Sequence, residues 1–281
     1  MKKGTVSTIL LIVAFLVGLS LLLYPSVSDY WNELHQSKAI AQYAQEVAAI
    51  DNELYDRLWA EAQAYNQSLP AREDRYAMTA REREEYESLL SVSGGAVMGY
   101  IEIPTIGCSL PIYHGTDEAV LQVAVGHIGG TSLPTGGAGT HCALSGHRGL
   151  PSARLFTDLD KLTEGDDFLL RILDETLTYE VDQILIVEPQ ELDALEIDPN
   201  QDYCTLVTCT PYGVNSHRLL VRGHRVENEE AAQTVRVTAD AMQIEPVIVA
   251  PLVAIPMLLL LLIGLLLPKP KKKSGGGTNE E

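Results

Sequence analysis

Two uncharged blocks near the ends of the chain constrain its fold more than any other feature. Between Lys3 and Asp29 lie 25 residues without a charge, among them Ile9 to Val17 and Leu21 to Leu23. Between Glu245 and Lys269 lie 23 more, ending in the run Leu258 to Leu267. A helix of about 20 apolar residues spans a hydrocarbon core about 30 Å thick, so each block is long enough to cross a membrane. The first reads as a retained anchor rather than a cleaved signal peptide, because its apolar run is long and lacks a small-x-small cleavage site. The second carries Pro251 and Pro256, which membrane helices tolerate better than soluble ones. Lys2 and Lys3 flank the first block; Lys269, Lys271, Lys272 and Lys273 flank the second. Basic flanks stay on the cytoplasmic side, so both termini are expected in the cytoplasm and the region between them outside.

Charge supports this division. The chain has 20 Lys and Arg against 38 Asp and Glu. Setting aside the six terminal lysines with Glu280 and Glu281 leaves 14 basic and 36 acidic residues, a formal −22 on the external part. This acidity argues against a nucleic-acid binder, which needs a basic face to neutralise phosphates. An acidic surface favours lysine-bearing partners, although simple solvation explains it equally well.

Residues Trp31 to Tyr65 read as one long helix. Leu34, Ile40, Ala44, Val47, Ile50, Leu54, Leu58, Ala62 and Tyr65 recur at three- and four-residue steps, and no Gly or Pro intervenes before Pro70. The stretch from Pro70 to Glu87 is rich in Arg and Glu, the composition of a solvated helix or linker. After Gly94-Gly95 the pattern changes to short β-type runs: Val97 to Ile103, Leu110 to His114, His141 to Ser145, Phe168 to Leu173, Leu177 to Val187, Tyr203 to Cys209 and His217 to Val226. Seven or eight short strands point to a closed barrel or a sandwich, with short helices expected at 117–123 and 152–158. The tail from Pro268 is low in complexity.

Four cysteines, 108, 142, 204 and 209, are the candidate nucleophiles. Cys204 and Cys209, five apart on one expected strand, would lie about 16 Å apart on opposite faces. A disulfide needs Cα atoms about 4.4–6.8 Å apart, so these two cannot bridge. Pairing of Cys142 with Cys204 or Cys108 stays open. No zinc-type spacing occurs, and His141 and His147 on one strand would be about 20 Å apart. Cys209 closes a strand and is followed by Thr210 and Pro211. If the next strand, from His217, returns antiparallel, positions 209 and 218 face each other, with Arg222 and His224 on the same side. A thiol of pKa about 8.5 needs a base at neutral pH. His147 is the best placed, in Ser145-Gly-His-Arg-Gly149, a strand end running into a Gly-rich turn.

Three segments, Ser145-Gly-His-Arg-Gly149, Thr205-Leu-Val-Thr-Cys-Thr-Pro211 and Asn215-Ser-His-Arg-Leu-Leu-Val-Arg-Gly223, resemble the His, Cys and Arg motifs of sortases. The resemblance extends from Gly99 to Arg225 and is closest to class C, the pilus-assembling sortases, in which a C-terminal anchor with a short basic tail is typical. It implies a mainly β fold: an eight-stranded closed sortase barrel with short helices, preceded by a long N-terminal helix and flanked by two transmembrane helices. The expected organisation is a cytoplasmic N-terminus (1–4), a transmembrane helix (5–25), a helical stalk (26–69), a lid (70–95), the catalytic barrel (96–228), a linker (229–245), a second transmembrane helix (246–268) and a cytoplasmic tail (269–281).

The resemblance implies a membrane-bound cysteine transpeptidase for Leu-Pro-x-Thr-Gly sorting signals of pilins or surface proteins. Cys209 would be the nucleophile, His147 the acid/base and Arg218 the third active-site residue. A thioester at Cys209 would be resolved by a lysine amine of a pilin subunit. No cofactor, metal or nucleic acid is called for. Class C enzymes commonly carry an Asp-Pro-aromatic lid motif; here Asp74-Arg75-Tyr76 stands in its place, with Arg for Pro. The expectation is that Asp74 pairs with Arg218 and Tyr76 covers Cys209, on a lid made more mobile by losing the Pro restraint. The rival readings are attachment of surface proteins to cell-wall precursor, a papain-like cysteine hydrolase, and a non-enzymatic membrane scaffold. Leu133-Pro-Thr-Gly-Gly137 lacks the x residue of a sorting signal and reads as a loop.

Overall fold

A computed structural model describes residues 3–72 and 74–228. The expected linker, second transmembrane helix and basic tail lie outside the described residues. Helix α1 (Lys3–Ala49) begins in the apolar block and passes Pro25 without interruption. Among the described residues it is the one helix long and apolar enough to cross a membrane, and its most apolar stretch is unburied. The chain divides into two compact units, the first holding α1 as far as Val27 and the second everything from Ser28 through the barrel.

The single long helix expected from Trp31 to Tyr65 is two helices. Asp51 ends the first by capping α2 (Asn52–Ser68), its carboxylate accepting from the Leu54 amide at 2.8 Å. A side-chain cap satisfies a donor that the previous turn would otherwise bond, so a break needs neither Gly nor Pro. Leu58, Ala62, Tyr65 and Asn66 form the buried face of α2. Tyr43 of α1 fastens the barrel, donating to the Met98 carbonyl at 2.9 Å and accepting from the Leu173 amide at 2.7 Å.

Between these helices and the barrel, residues 74–95 form a strap. A turn at 74–77 leads into α3 (Ala80–Ser88), which opens with a capping box between Thr79 and Glu82. The Arg/Glu-rich stretch is therefore a helix held through buried Tyr86, whose hydroxyl contacts His127 Nδ1 at 2.8 Å.

Eight strands close into a barrel: β1 (Val97–Ile103), β2 (Cys108–His114), β3 (Val125–His127), β4 (Thr140–Ser145), β5 (Asp167–Ile172), β6 (Glu175–Val187), β7 (Asp202–Thr210) and β8 (His217–Val226). Their order around the barrel is β1-β2-β3-β4-β7-β8-β6-β5. Two neighbouring pairs, β2–β3 and β4–β7, are parallel. Inward residues such as Ile101, Leu144, Phe168, Tyr179, Leu206 and Val221 fill the interior and are almost wholly buried. β3, only three residues long with Gly126 at its centre, went unmarked in the sequence. The short helix expected at 117–123 is α4 (Glu118–Leu121), whereas 152–158 forms turns rather than a helix.

Candidate active site

β7 is buried from Cys204 to Thr208, and Cys209 near its end is partly exposed. β8 returns antiparallel in the register that the hairpin argument requires, with Cys209 directly opposite Arg218. The Arg218 guanidinium is held over the β7–β8 loop, donating from Nη1 to the carbonyls of His217 at 3.2 Å and Asn215 at 3.4 Å.

His147 reaches the same end of the barrel by a different route. β4 runs parallel to β7 from Thr140 opposite Asp202 to Ser145 opposite Val207. The ladder continues past the strand end: the Gly146 amide donates to the Val207 carbonyl at 3.1 Å, and the Thr208 hydroxyl to the Gly146 carbonyl at 2.7 Å. His147 follows Gly146 directly, just past the end of β4, as Cys209 follows Thr208 near the end of β7. Gly146 is required here, because a Cβ would stand 2.6 Å from the Phe156 ring. The Phe156 amide in turn fixes the His147 carbonyl at 3.0 Å. His147 Nε2 is 3.8 Å from the Glu118 carboxylate, at the start of α4.

Two further residues frame the site and were not singled out from the sequence. Glu118 is one. Tyr212 is the other: it projects from the β7–β8 loop against Gly149, with the Arg148 guanidinium 5.9 Å from its ring centre, and so joins the Cys-bearing and His-bearing loops. Neither carries a local sequence signal, because both contacts arise only when the barrel closes.

His114, His127 and His141 are engaged elsewhere. Burial lowers His114 and His141 to about 4, so both are neutral at pH 7. His141 bonds the Glu196 carbonyl and the Thr205 hydroxyl, and His127 is buried against Tyr86 and Ser132. Burial also pushes the Cys108 thiol up to about 12. Among the described residues no cluster of three His, Cys, Asp or Glu side chains could hold a metal.

Two residues back from Cys209 and Arg218, the pair Val207 and Leu220 packs with Val187, Ile128, Leu185 and Ala194 into a small apolar cluster. Further along these strands a polar cavity of about 500 Å³ is lined by His141, Tyr203, Arg222 and the 193–199 loop.

The lid residues differ from expectation. Asp74 is exposed, and among the described residues no ion pair joins it to Arg218, whose guanidinium donates to the His217 and Asn215 carbonyls. Tyr76 is half-buried, and its hydroxyl accepts from Arg75 at 3.0 Å. Arg75, read in the sequence only as a lost proline, is 8% exposed and anchors the strap. Its Nη2 donates to the Leu195 carbonyl at 3.1 Å and approaches Glu196 at 3.4 Å. Gly130 allows this close approach, since a Cβ there would stand 2.3 Å from the Arg75 carbonyl oxygen. The 133–137 loop that mimics a sorting signal is structural: Leu133 is buried, and the Asn66 side chain bonds both its amide and its carbonyl.

The papain-like alternative requires a cysteine on a helix, and Cys209 lies in β7. A family model described as "Sortase domain" matches residues 101–226. The structure is similar to that of sortase C1 from Streptococcus agalactiae, with 52% identity over 68% of this chain and 100% of that one and a TM-score of 0.66. It is also similar to a sortase C from Clostridium perfringens solved with the C-terminal cell wall sorting motif, with 43% identity over 68% and 100% of the two chains and a TM-score of 0.61. Sortase D of Bacillus subtilis is 30% identical over 135 residues, 47% of this chain; the match spans about two thirds (65%) of that relative.

Proposed function

The chain belongs to the sortase family of cysteine transpeptidases, and from that premise we propose that it is a class C enzyme that joins pilin subunits. It cleaves Leu-Pro-x-Thr-Gly-type signals between Thr and Gly. His147 takes the Cys209 proton as sulfur attacks the Thr carbonyl. Arg218 stabilises the negative oxygen of the tetrahedral intermediate. Collapse of that intermediate breaks the peptide bond, His147 protonates the departing Gly amine, and an acyl thioester remains on Cys209. A pilin lysine amine then attacks the thioester, forms the isopeptide bond and returns the thiol. Arg218 is a cation and cannot orient His147 as a carboxylate would, so its task is at the oxyanion or the thiolate. The apolar cluster at Val207 and Leu220 suits the Leu and Pro of the signal. α1 anchors the enzyme with its N-terminus inside and the catalytic unit outside, beside substrates tethered to the same membrane.

This reading is supported by the register that sets Cys209 opposite Arg218, together with the bonds that tie Gly146, the residue before His147, to Val207 and Thr208. The test is reconstitution of the full chain with a candidate pilin. A covalent ladder of subunits, lost in Cys209→Ala, is expected. Monomers joined to peptidoglycan without a ladder would show attachment to cell-wall precursor instead.

A further inference from the structure

The barrel interior holds two thiols that the proposed reaction does not use. Cys142 on β4 and Cys204 on β7 are direct register partners, 2% and 0% exposed, and both are free thiols. Paired positions on neighbouring strands project to the same side, here into the core shared with Leu144 and Leu206. Neighbouring strands lie about 4.8 Å apart, within the Cα separation of about 4.4–6.8 Å that a disulfide spans. The other two cysteines have different surroundings: Cys108 faces the Leu155 carbonyl, and Cys209 lies opposite Arg218.

We propose that Cys142 and Cys204 close into a disulfide that clamps β4 to β7. The position gives the bond its meaning. Cys142 is five residues before His147, and Cys204 is five residues before Cys209. In a parallel pair, a link at equal distances behind two residues fixes the register that sets them side by side. A one-residue slip would also turn every β4 side chain to the wrong face.

The chemistry is ordinary thiol–disulfide exchange. One thiolate attacks an external disulfide of the glutathione class, or that of an exported dithiol oxidoreductase, and displaces one of its sulfurs. The second cysteine then displaces the other. Two thiols lose two protons and two electrons, and the external disulfide is reduced to two thiols. Both sulfurs are out of water in the folded barrel, so the bond closes while β4 and β7 assemble. None of this depends on the proposed reaction.

The test uses the full chain in detergent, unfolded in denaturant and refolded in glutathione mixtures of increasing oxidising strength. Remaining thiols are trapped by alkylation under denaturing conditions, and the peptides are mapped by mass spectrometry. A cross-linked Cys142–Cys204 peptide is expected, about 2 Da lighter than its two reduced halves, with Cys108 and Cys209 alkylated. The oxidised protein should melt about 5–10 °C above the reduced one, a difference abolished by Cys204→Ala. Full alkylation of both Cys142 and Cys204 after refolding in the most oxidising mixture would overturn the proposal. So would a cross-link from either to Cys108. The mapping is done on the unsubstituted chain, so it stands even if Cys204→Ala does not fold.

Discussion

Arg75 donates to the carbonyl of Leu195 at 3.1 Å, tying the strap that precedes the barrel to the loop between β6 and β7. That loop also contributes Ala194 to the apolar cluster two residues behind Cys209. The strap and a wall of the site are thus joined by one buried guanidinium. In Arg75→Ala the Leu195 carbonyl loses its donor, at a cost of about 1–3 kcal/mol. The expected outcome is a lower melting temperature and a several-fold faster alkylation of Cys209. Asp74→Ala, at an exposed carboxylate with no ion pair to Arg218, should leave both unchanged. Equal alkylation rates in Arg75→Ala and the unsubstituted enzyme would contradict a role for the strap as a lid.

Gly146 carries a second expectation. A methyl group at that position meets the Phe156 ring at 2.6 Å and must displace it. Gly146→Ala should cost about 1–3 kcal/mol through overpacking. It should also lower kcat more than stability alone explains, because His147 is the next residue. Phe156→Ala removes the obstruction but empties a fully buried site, at about 3–5 kcal/mol. Thermal melts beside kcat separate the two effects.

Arg218 is assigned to charge that develops during the reaction. Removing one such donor typically costs a factor of about 10²–10³ in kcat. Arg218→Ala should therefore lose turnover with little change in KM. Arg218→Lys, a point charge without the planar fork, should recover only part of it. A main effect on KM would reassign Arg218 to substrate binding.

Buried histidines set the acid side of the stability profile. His114 and His141 titrate at about 4 in the fold, mainly because burial disfavours their charged forms. In the unfolded chain the ordinary value is about 6.5, so that chain binds more protons between the two values. Their contribution is complete above about 6.5 and is lost as pH falls toward 4. Melting temperature should decline already between pH 6.5 and 5, above the range in which paired carboxylates titrate. A flat profile over that interval would contradict the burial of these rings.

Much of the barrel was legible because β-strands leave local traces. Runs such as Phe168 to Leu173 and His217 to Val226 alternate between turn residues, and a hairpin argument alone set position 209 against 218. What escaped was non-local or too short. β3 has three residues, fewer than an alternation needs to declare itself. The break at Asp51 depends on a side-chain cap within an otherwise continuous helical pattern. The parallel pairing of β4 with β7, which sets Cys142 opposite Cys204 and carries the His147 turn at the end of β4, joins segments 62 residues apart, beyond the reach of any local pattern. His147 is legible through its Gly-rich turn and its motif, whereas its neighbours in the fold leave no local trace. At Arg75 the loss of a proline suggests lost restraint, whereas the replacing side chain supplies a buried anchor.

The most direct test of the convergence of Cys209, His147 and Arg218 is intact-mass and peptide analysis of the catalytic unit after incubation with a Leu-Pro-x-Thr-Gly peptide. The account predicts an acyl adduct that ends at the Thr and maps to Cys209. It should be absent in Cys209→Ala and strongly reduced in His147→Ala and Arg218→Ala. An adduct on Cys108, Cys142 or Cys204, or undiminished acylation in His147→Ala, would contradict it.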